Sequence, residues 1–331
     1  MSDFRTLKGL YIKHVSSDPS NLVAGDIWYN TTTQTLKTAP LLGAWASGND
    51  MNDHRAGQGM AGIQTAALVA AGYDYGGGDA PTQETEEYDG TSWTEVNDCN
   101  VSKYSVGTFG TQTAALMAGG IGSYLVTVES YDGTTWTEGP DLNARRSAMA
   151  ACGTQSNGLV ACGFGQTPGD DGTMNTSDEW DNSSWTAGGN TNTARDSYIG
   201  ASGTATAAII FGGGGPSNSL TANSESYNGT AWTEGPNINT AKNMLGQIGT
   251  TSAGALAAGG NLGPPGVTGA TEEWDDTSWV TLSATLGNAR HGYCSTGTTS
   301  AAILAGNNPT PLTKKTEEYT QAVTARTWDT T

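Results

Sequence analysis

Side chains suited to acid–base, nucleophilic or metal chemistry are few in this chain and follow no catalytic pattern. None of the three histidines, His14, His54 and His291, belongs to a metal-ligand or general-base motif. The four cysteines are Cys99, Cys152, Cys162 and Cys294. Cys152 and Cys162 could face each other across a hairpin, but the absence of CxxC and Cys/His spacings favours small buried thiols. Without a nucleophile elbow, a phosphate-binding loop or an HExxH sequence, we predict a protein that is not an enzyme and needs no cofactor.

Charged residues, in contrast, recur in a fixed pattern. Six segments place a basic residue two or three positions after an asparagine: Arg55, Lys103, Arg146, Arg195, Lys242 and Arg290. Downstream of each base, an acidic residue opens a predicted strand: Glu86, Glu129, Asp178, Glu225, Glu272 and Glu317. The bases could form a cationic ring for an anionic ligand, or each base could pair with its acid. Because both sets are expected near the same edge of the sheets, we favour ion pairs.

One loop, "PGDDGTMNTSDEWDN", is rich in carboxylates and could offer Asp170 and Asp171 to Ca²⁺. Its carboxylates lack the alternating spacing of a dedicated calcium loop, so we predict no metal site. Both aspartates remain candidates for contact with an external ligand.

The overall charge limits the classes of partner. The chain has 14 Lys and Arg against 32 Asp and Glu, and this net charge of −18 repels nucleic-acid phosphates and anionic lipids. We therefore expect no nucleic acid and no membrane insertion. The first residues, "MSDFRTLKGLYIKHVSS", lack the apolar core of a secretory signal, and no window approaches the roughly 18 apolar residues of a membrane helix. These features predict synthesis in a cytoplasm.

The residues above sit in a repeat with gaps of 43 to 49 residues. An aromatic residue before a turn falls at Tyr88, Tyr131, Trp180, Tyr227, Trp274 and Tyr319. A tryptophan follows five residues later at Trp93, Trp136, Trp185, Trp232 and Trp279, and nine residues later at Trp328 in the last copy. We expect each aromatic pair to pack across a hairpin and to be structural.

Each repeat is predicted to contain four strands, which we name a to d. Strand b is a run of small apolar residues such as "AALMAGG", typical of a strand buried on both faces. Between strands c and d, Asp89-Gly90, Asp132-Gly133 and Asn228-Gly229 are typical of tight hairpin turns. Four antiparallel strands repeated every 40–50 residues predict an all-β propeller of four-stranded blades.

The order "AGG … ESYDGTTWTEGPDLNARRSA" resembles a kelch repeat, from Asn52 to about Trp328. The resemblance implies a β-propeller with six kelch-like repeats. The Gly-Gly pair of the pattern is replaced at Ala71-Gly72, Cys162-Gly163 and Gly306-Asn307, so these repeats match the pattern less well. Some kelch propellers are copper radical oxidases, but the histidines here match no such ligand set.

The segment 1–48 admits two interpretations beside the propeller of residues 49–331. Trp45 lies forty-eight residues before Trp93, on the period of the repeat. Since Trp328 is expected to supply the outer strand of the sixth copy, residues 9–48 would form a divergent first blade and make seven. Alternatively, residues 1–48 form a separate anchor beside six blades. We favour seven.

The stretch "SSDPSNLVAGDIWYNTTTQTLKT … GAW" is similar to short modules of bacteriophage tail-fibre and other virion proteins. The resemblance implies a virion component assembled in the host cytoplasm. It also implies contact with other virion proteins through the N-terminal segment and a homo-oligomer on the particle. The alternatives are a decoration protein without a receptor, and a cellular kelch-like lectin or scaffold.

Antiparallel strands place the long b–c loops on one face, together with the d-to-a connections. These loops differ among repeats, whereas the a–b and c–d turns are short. Variable loops on a rigid frame are where recognition usually occurs, so we expect contact with a host glycan or protein there, although inert loops are the alternative. The candidate ligand-binding residues are Tyr73, Asp74, Tyr75, Tyr124, Phe164, Asp170 and Asp171.

Overall fold

The computed structural model describes residues 12–75, 78–122, 126–165, 172–216, 219–264, 266–306 and 314–327. Within these ranges the regular structure is β-strand, and no α-helix occurs. The predicted all-β class is therefore confirmed.

Six sheets, numbered I to VI along the chain, carry the repeats, and their strands are hydrogen-bonded in the order a, b, c, d. Sheet I comprises Gly59–Ile63, Ala66–Ala70, Thr85–Tyr88 and Trp93–Val96, and sheet II comprises Gly107–Thr111, Ala114–Ala118, Val128–Tyr131 and Trp136–Gly139. Sheet III comprises Ala150–Thr154, Asn157–Ala161, Ser177–Trp180 and Trp185–Ala187, and sheet IV comprises Gly200–Thr204, Ala207–Phe211, Ser224–Tyr227 and Trp232–Gly235. Sheet V has strands b to d, Ala255–Ala258, Ala270–Trp274 and Trp279–Thr285. Sheet VI comprises Cys294–Gly297, Ala301–Ala305, Thr316–Val323 and, in position d, Leu41–Ser47.

Short strands tie the b–c loops to the segment that precedes strand a. Three small antiparallel sheets do this: Arg55–Ala56 with Tyr73–Asp74 and Ala80–Pro81; Lys103–Tyr104 with Ile121–Gly122; and Arg146–Ser147 with Phe164–Gly165 and Gly172–Thr173. A fourth, Gly214–Gly215 with Ser219–Leu220, lies within one b–c loop, and a single bridge joins Gly214 to Asp196. The b–c loops, whose sequences differ among the repeats, are therefore anchored at their bases.

A separate compact unit contains the residues up to Ala44 together with those from Thr320 onward, and the other unit is Trp45–Tyr319. The strands of the first unit's own sheet are Lys13–Val15, Ile27–Asn30, Thr35–Thr38 and Arg326–Thr327. Its buried Trp28 donates its indole N–H to the Asp18 carboxylate at 3.1 Å. Hydrogen bonds from Asn30 and Trp28 lower the pKa of Asp18, so this carboxylate stays charged. The same bonds hold the loop that contains Asp18 against the sheet.

The core lies between sheets because strand b is apolar on both faces. Leu68, Leu116 and Ile209 in these strands are fully buried. Small residues let neighbouring sheets approach: a Cβ at Gly59 would overlap the Thr108 side chain of the next sheet. Six apolar clusters each contain residues of two neighbouring sheets. They lie between sheets I and II, II and III, III and IV, IV and V, V and VI, and VI and I.

The c–d hairpins explain the recurring Asp-Gly corner. The Asp89 carboxylate accepts the backbone N–H groups of Thr91 and Ser92 at 2.8 and 2.7 Å, and these bonds lower its pKa. Gly90 then adopts a φ of +89°, which glycine tolerates without a Cβ clash. The turn aligns Tyr88 directly opposite Trp93, with ring centroids 4.9 Å apart.

The same aromatic packing across the c–d hairpin occurs in five hairpins. The ring centroids are 4.9, 5.0, 5.2, 4.8 and 5.6 Å apart in Tyr88–Trp93, Tyr131–Trp136, Trp180–Trp185, Tyr227–Trp232 and Trp274–Trp279. Each pair is buried within one of the inter-sheet clusters, where it fills the space near the outer strands.

The sixth hairpin differs from the sequence prediction. Trp45 packs on Tyr319 at a centroid distance of 5.2 Å, whereas Trp328, which the sequence analysis assigned to this hairpin, lies outside the described residues. The Trp45 indole N–H donates to Thr271 of sheet V at 2.9 Å, as Trp93 donates to Thr316 of sheet VI. The strand before the first repeat thus completes the sheet of the last one. The described part of the expected first blade is accordingly divided between two sheets, with Ile27–Asn30 and Thr35–Thr38 in one and Leu41–Ser47 in the other.

Tyrosine hydroxyls also join neighbouring sheets. Tyr88, Tyr131 and Tyr227 donate to Glu318, Glu87 and Glu179, each on strand c of the preceding sheet. The Tyr88 bond links sheet I back to sheet VI. Burial, followed by the acceptor glutamate, raises the pKa of Tyr227 to about 12 and raises the pKa values of Tyr88 and Tyr131 as well.

We predict that Trp45→Ala lowers the free energy of unfolding by roughly 2–3 kcal/mol, because a half-buried indole and its hydrogen bond are removed from the last sheet. Trp45→Phe should recover most of the packing but not the bond to Thr271. Urea unfolding measures both effects. Val280→Ala, at an exposed position, serves as the control, and an equal effect of the two alanine variants would contradict the role of Trp45.

The tyrosine–glutamate bonds predict a loss of stability at alkaline pH. Because the folded pKa is raised, their contribution is complete below about pH 10 and is lost as the pH rises towards about 12. Replacing Tyr88, Tyr131 and Tyr227 together by Phe should therefore lower stability at neutral pH and flatten its decline above about pH 10. Urea unfolding across this pH range measures the slope. An unchanged slope, equal to that of the exposed Tyr75→Phe control, would contradict the assignment.

Candidate functional site

The six repeated bases are buried in ion pairs with the predicted acids. The pairs are Arg55–Glu86, Lys103–Glu129, Arg146–Asp178, Arg195–Glu225, Lys242–Glu272 and Arg290–Glu317. No side chain in these pairs is more than 4% exposed. The prediction of ion pairs is confirmed, and a cationic ring open to an anionic ligand is excluded for these residues.

The asparagine before each base completes the same site. The backbone N–H and side-chain amide of Asn52 donate to the second oxygen of Glu86, at 2.8 and 2.9 Å. The amide also donates to the Trp93 carbonyl at 3.3 Å. Asn100 and Asn192 repeat this arrangement. Each carboxylate therefore fixes the connection between two sheets, and the Asn–base signature is structural.

A circle of backbone hydrogen bonds follows directly after the bases. The N–H groups of Ser105, Ala148, Tyr198, Met244, Gly292 and Gly57 donate to the carbonyls of Gly57, Ser105, Ala148, Ser197, Met244 and Gly292, at 2.6 to 3.3 Å. The last bond returns to the first residue. Ser105, Ala148 and Met244 have φ values of +58°, +50° and +56°, a left-handed conformation that is unusual for residues other than glycine. The circle therefore concentrates backbone strain where the six repeats meet.

A cavity of about 240 Å³ is lined by strands a of sheets I to IV and by residues 247 to 250 and 295 to 296. The side-chain amide nitrogen of Gln247, oriented towards the cavity wall, donates to the backbone carbonyls of Thr108 and Ala151 at 3.0 and 2.8 Å. Within the described part of the chain, the buried hydroxyls of Thr108 and Ser295 have no hydrogen-bond partner. A cavity of this size is large enough for several water molecules, and these hydroxyls are suited to bind them.

Two of the candidate ligand-binding residues are brought together on the b–c loop face. Tyr73 and Tyr75 have ring centroids 4.4 Å apart, and Tyr104 lies edge-on to Tyr73 at 5.2 Å. Tyr73 is fixed by its strand and by donating its hydroxyl to the Asp79 carbonyl at 2.7 Å. Tyr75 is 45% exposed. We call Tyr73, Tyr75 and Tyr104 the tyrosine cluster.

The surroundings of the tyrosine cluster are acidic. Asp74 pairs in register with Arg55 through the backbone, next to Tyr73. Burial and the charge of Asp53 raise the pKa of Glu84, and Asp74 adds to this effect. These carboxylates give the region a negative potential, because the Arg55 guanidinium is already paired with Glu86.

The remaining candidates are placed elsewhere or not described. Phe164 is 37% exposed in the small sheet opposite Ser147, and no described contact joins it to the tyrosine cluster. Tyr124, Asp170 and Asp171 lie outside the described residues. Tyr104 was missed from the sequence because it is adjacent to a structural base. A comparison of that position across repeats shows a tyrosine only here, against Ala56, Ser147, Asp196, Asn243 and His291.

The four cysteines lie in the core. All four thiols are free and buried, and burial raises the pKa of Cys152 and of Cys294 to about 12. The prediction of buried thiols is confirmed. Across the described ranges no group of three or more His, Cys, Asp or Glu could hold a metal ion, and no helix there is long and apolar enough to cross a membrane.

No protein-family model matches the chain, and no curated protein matches it. The likeness to kelch repeats and to phage modules therefore depends on the residues quoted above.

Breaking one buried pair should be strongly destabilising. We expect Arg195→Met to lower the free energy of unfolding by about 3–5 kcal/mol, because Glu225 would remain charged and buried without its partner. Adding Glu225→Gln should restore part of this loss. Urea unfolding of the two single variants and the double variant measures the coupling. Lys315→Met in the exposed Lys315–Asp50 pair is the matched control, with an expected change of about 0–1 kcal/mol. A comparable loss at the two sites would contradict the distinction.

Proposed function

We propose that this chain is a non-enzymatic bacteriophage virion protein, a closed six-bladed kelch-like β-propeller displayed on the tail or capsid. Its b–c loop face binds a host-surface glycan or protein. The N-terminal segment contacts other virion proteins, and the chain assembles as a homo-oligomer on the particle.

The observation that carries the architecture is that the last sheet contacts the first one, in the same ways as neighbouring sheets along the chain contact each other. The apolar cluster between sheets VI and I, the Tyr88–Glu318 bond and the backbone circle each close a path through the repeats. Two observations support six blades over seven: Leu41–Ser47 belongs to sheet VI, and the sheet formed by the remaining N-terminal strands begins with a parallel pair, unlike the repeats.

The role on a virion is supported by the division of the chain. The strands Lys13–Val15, Ile27–Asn30 and Thr35–Thr38 form a small sheet with Arg326–Thr327, beginning with a parallel pair that the repeats do not use. Such a unit is suited to docking, while the propeller displays its loops. The buried ion pairs support a structural rather than catalytic use of the repeated charges.

Mass spectrometry and antibody labelling of purified particles of the encoding phage test this proposal. We expect the chain on the particle surface, and we expect its removal to reduce adsorption to host cells while assembly continues. A variant lacking residues 1–40 but keeping the Trp45 strand should fold and fail to join the particle. Absence from purified particles would overturn the virion role. Presence together with unchanged adsorption would favour the decoration protein.

A further inference from the structure

The tyrosine cluster is the only place in the described residues where three aromatic rings meet near the surface of the b–c loop face. The other exposed large apolar side chains of that face, Phe164 and Leu262, belong to other loops. We propose that the tyrosine cluster binds one uncharged pyranose unit of a glycan by stacking, with nearby carboxylates accepting its hydroxyl groups. This inference rests on the proposed host-binding function and assigns its ligand class and site.

The ring geometry suits a sugar. Tyr73 and Tyr75 are inclined at 49°, and Tyr73 and Tyr104 at 71°, so the rings present differently oriented aromatic surfaces. A pyranose has one apolar C–H face and polar edges, so it can stack on one ring while its edge contacts a second. Aromatic side chains lose little conformational entropy on binding, and their amphipathic rings suit a ligand that is partly apolar.

The cluster is also held in place before any ligand arrives. Tyr73 lies in the central strand of a three-stranded sheet, between Arg55–Ala56 and Ala80–Pro81, and its hydroxyl is engaged by Asp79. Tyr104 belongs to a strand paired with Ile121–Gly122. Fixed rings reduce the entropy lost on binding.

Charge selects among glycans. Asp74 lies between Tyr73 and Tyr75 in the chain, and the two bases next to the cluster, Arg55 and Lys103, are each buried in an ion pair. Sialic acids, uronic acids and phosphorylated sugars would therefore be repelled, whereas neutral hydroxyls find acceptors. The small number of exposed aromatic residues favours a small ligand over a protein, because a stable protein interface buries about 800 Å² on each partner.

The site occurs once per chain, since only one repeat has a tyrosine after its structural base. A single stacked sugar binds weakly, so useful avidity requires several copies on one particle. This accords with display as a homo-oligomer.

The test uses the full chain, free in solution and coupled to beads. The probes are methyl glycosides of glucose, galactose, mannose and N-acetylglucosamine, with sialyllactose and glucuronic acid as charged probes. Saturation-transfer NMR and a printed glycan array report binding. We expect at least one neutral probe to bind, Tyr75→Ala and Tyr104→Ala to weaken it by roughly tenfold, and Tyr75→Phe to retain it.

Phe164→Ala is the matched control, because it removes an exposed aromatic ring of the same face outside the cluster. Preference for the charged probes, absence of binding by the bead-coupled protein, or equal loss in Phe164→Ala would overturn the inference. Particle labelling separates the two proposals. A particle-bound chain whose Tyr75→Ala variant adsorbs normally would overturn the sugar site alone. Neutral-sugar binding by a chain absent from particles would overturn the virion role alone.

Discussion

A buried carboxylate at the beginning of strand c is the interaction on which the repeated structure depends. In sheet I, Glu86 receives the Arg55 guanidinium on one oxygen and two N–H groups of Asn52 on the other. Removing such a charge from water is unfavourable unless every lone pair is satisfied, so the donors must arrive in a fixed geometry. The carboxylate therefore determines how the chain leaves one sheet and enters the next.

The consequence appears immediately after the base, where the chain turns through left-handed residues. Arg55 also donates to the carbonyls of Ala71 and Glu84, so one side chain holds the end of strand b and the approach to strand c. With the base fixed, the following residue pairs with the b–c loop, and the next enters the backbone circle. The ion pairs thus position both the circle and the bases of the b–c loops, separately from the loop residues that differ in sequence among the repeats. That separation allows the loops to differ while the frame stays constant.

The sequence was most informative where the determining contacts are local. The Asp89-Gly90 turn, the Tyr88–Trp93 pair and the Asn–base signature lie within a few residues of their partners or recur in register, so spacing alone predicted them. The outer strand of sheet VI could not be predicted in this way. Trp45 and Trp328 are both tryptophans near the repeat period, and the contact of Trp45 with Tyr319 joins parts of the chain that are far apart in sequence. The circle also left no sequence signal, because Ser105, Ala148 and Met244 do not have the residue type that positive φ usually requires.

Tyr104 shows why the binding residues were only partly predictable. Tyr104 follows Lys103, which is buried in an ion pair, and precedes Ser105, which belongs to the circle. The repeat therefore fixes the backbone at position 104 but does not determine which side chain it carries. Repeated sequence reveals what all copies share, whereas recognition depends on what one copy has alone. The net charge of −18 also limits which ligands the chain can bind. Because every buried pair is neutral as a unit, the whole excess of carboxylates is carried by residues outside these pairs, where it repels anionic molecules and leaves the exposed rings of the tyrosine cluster to uncharged ones.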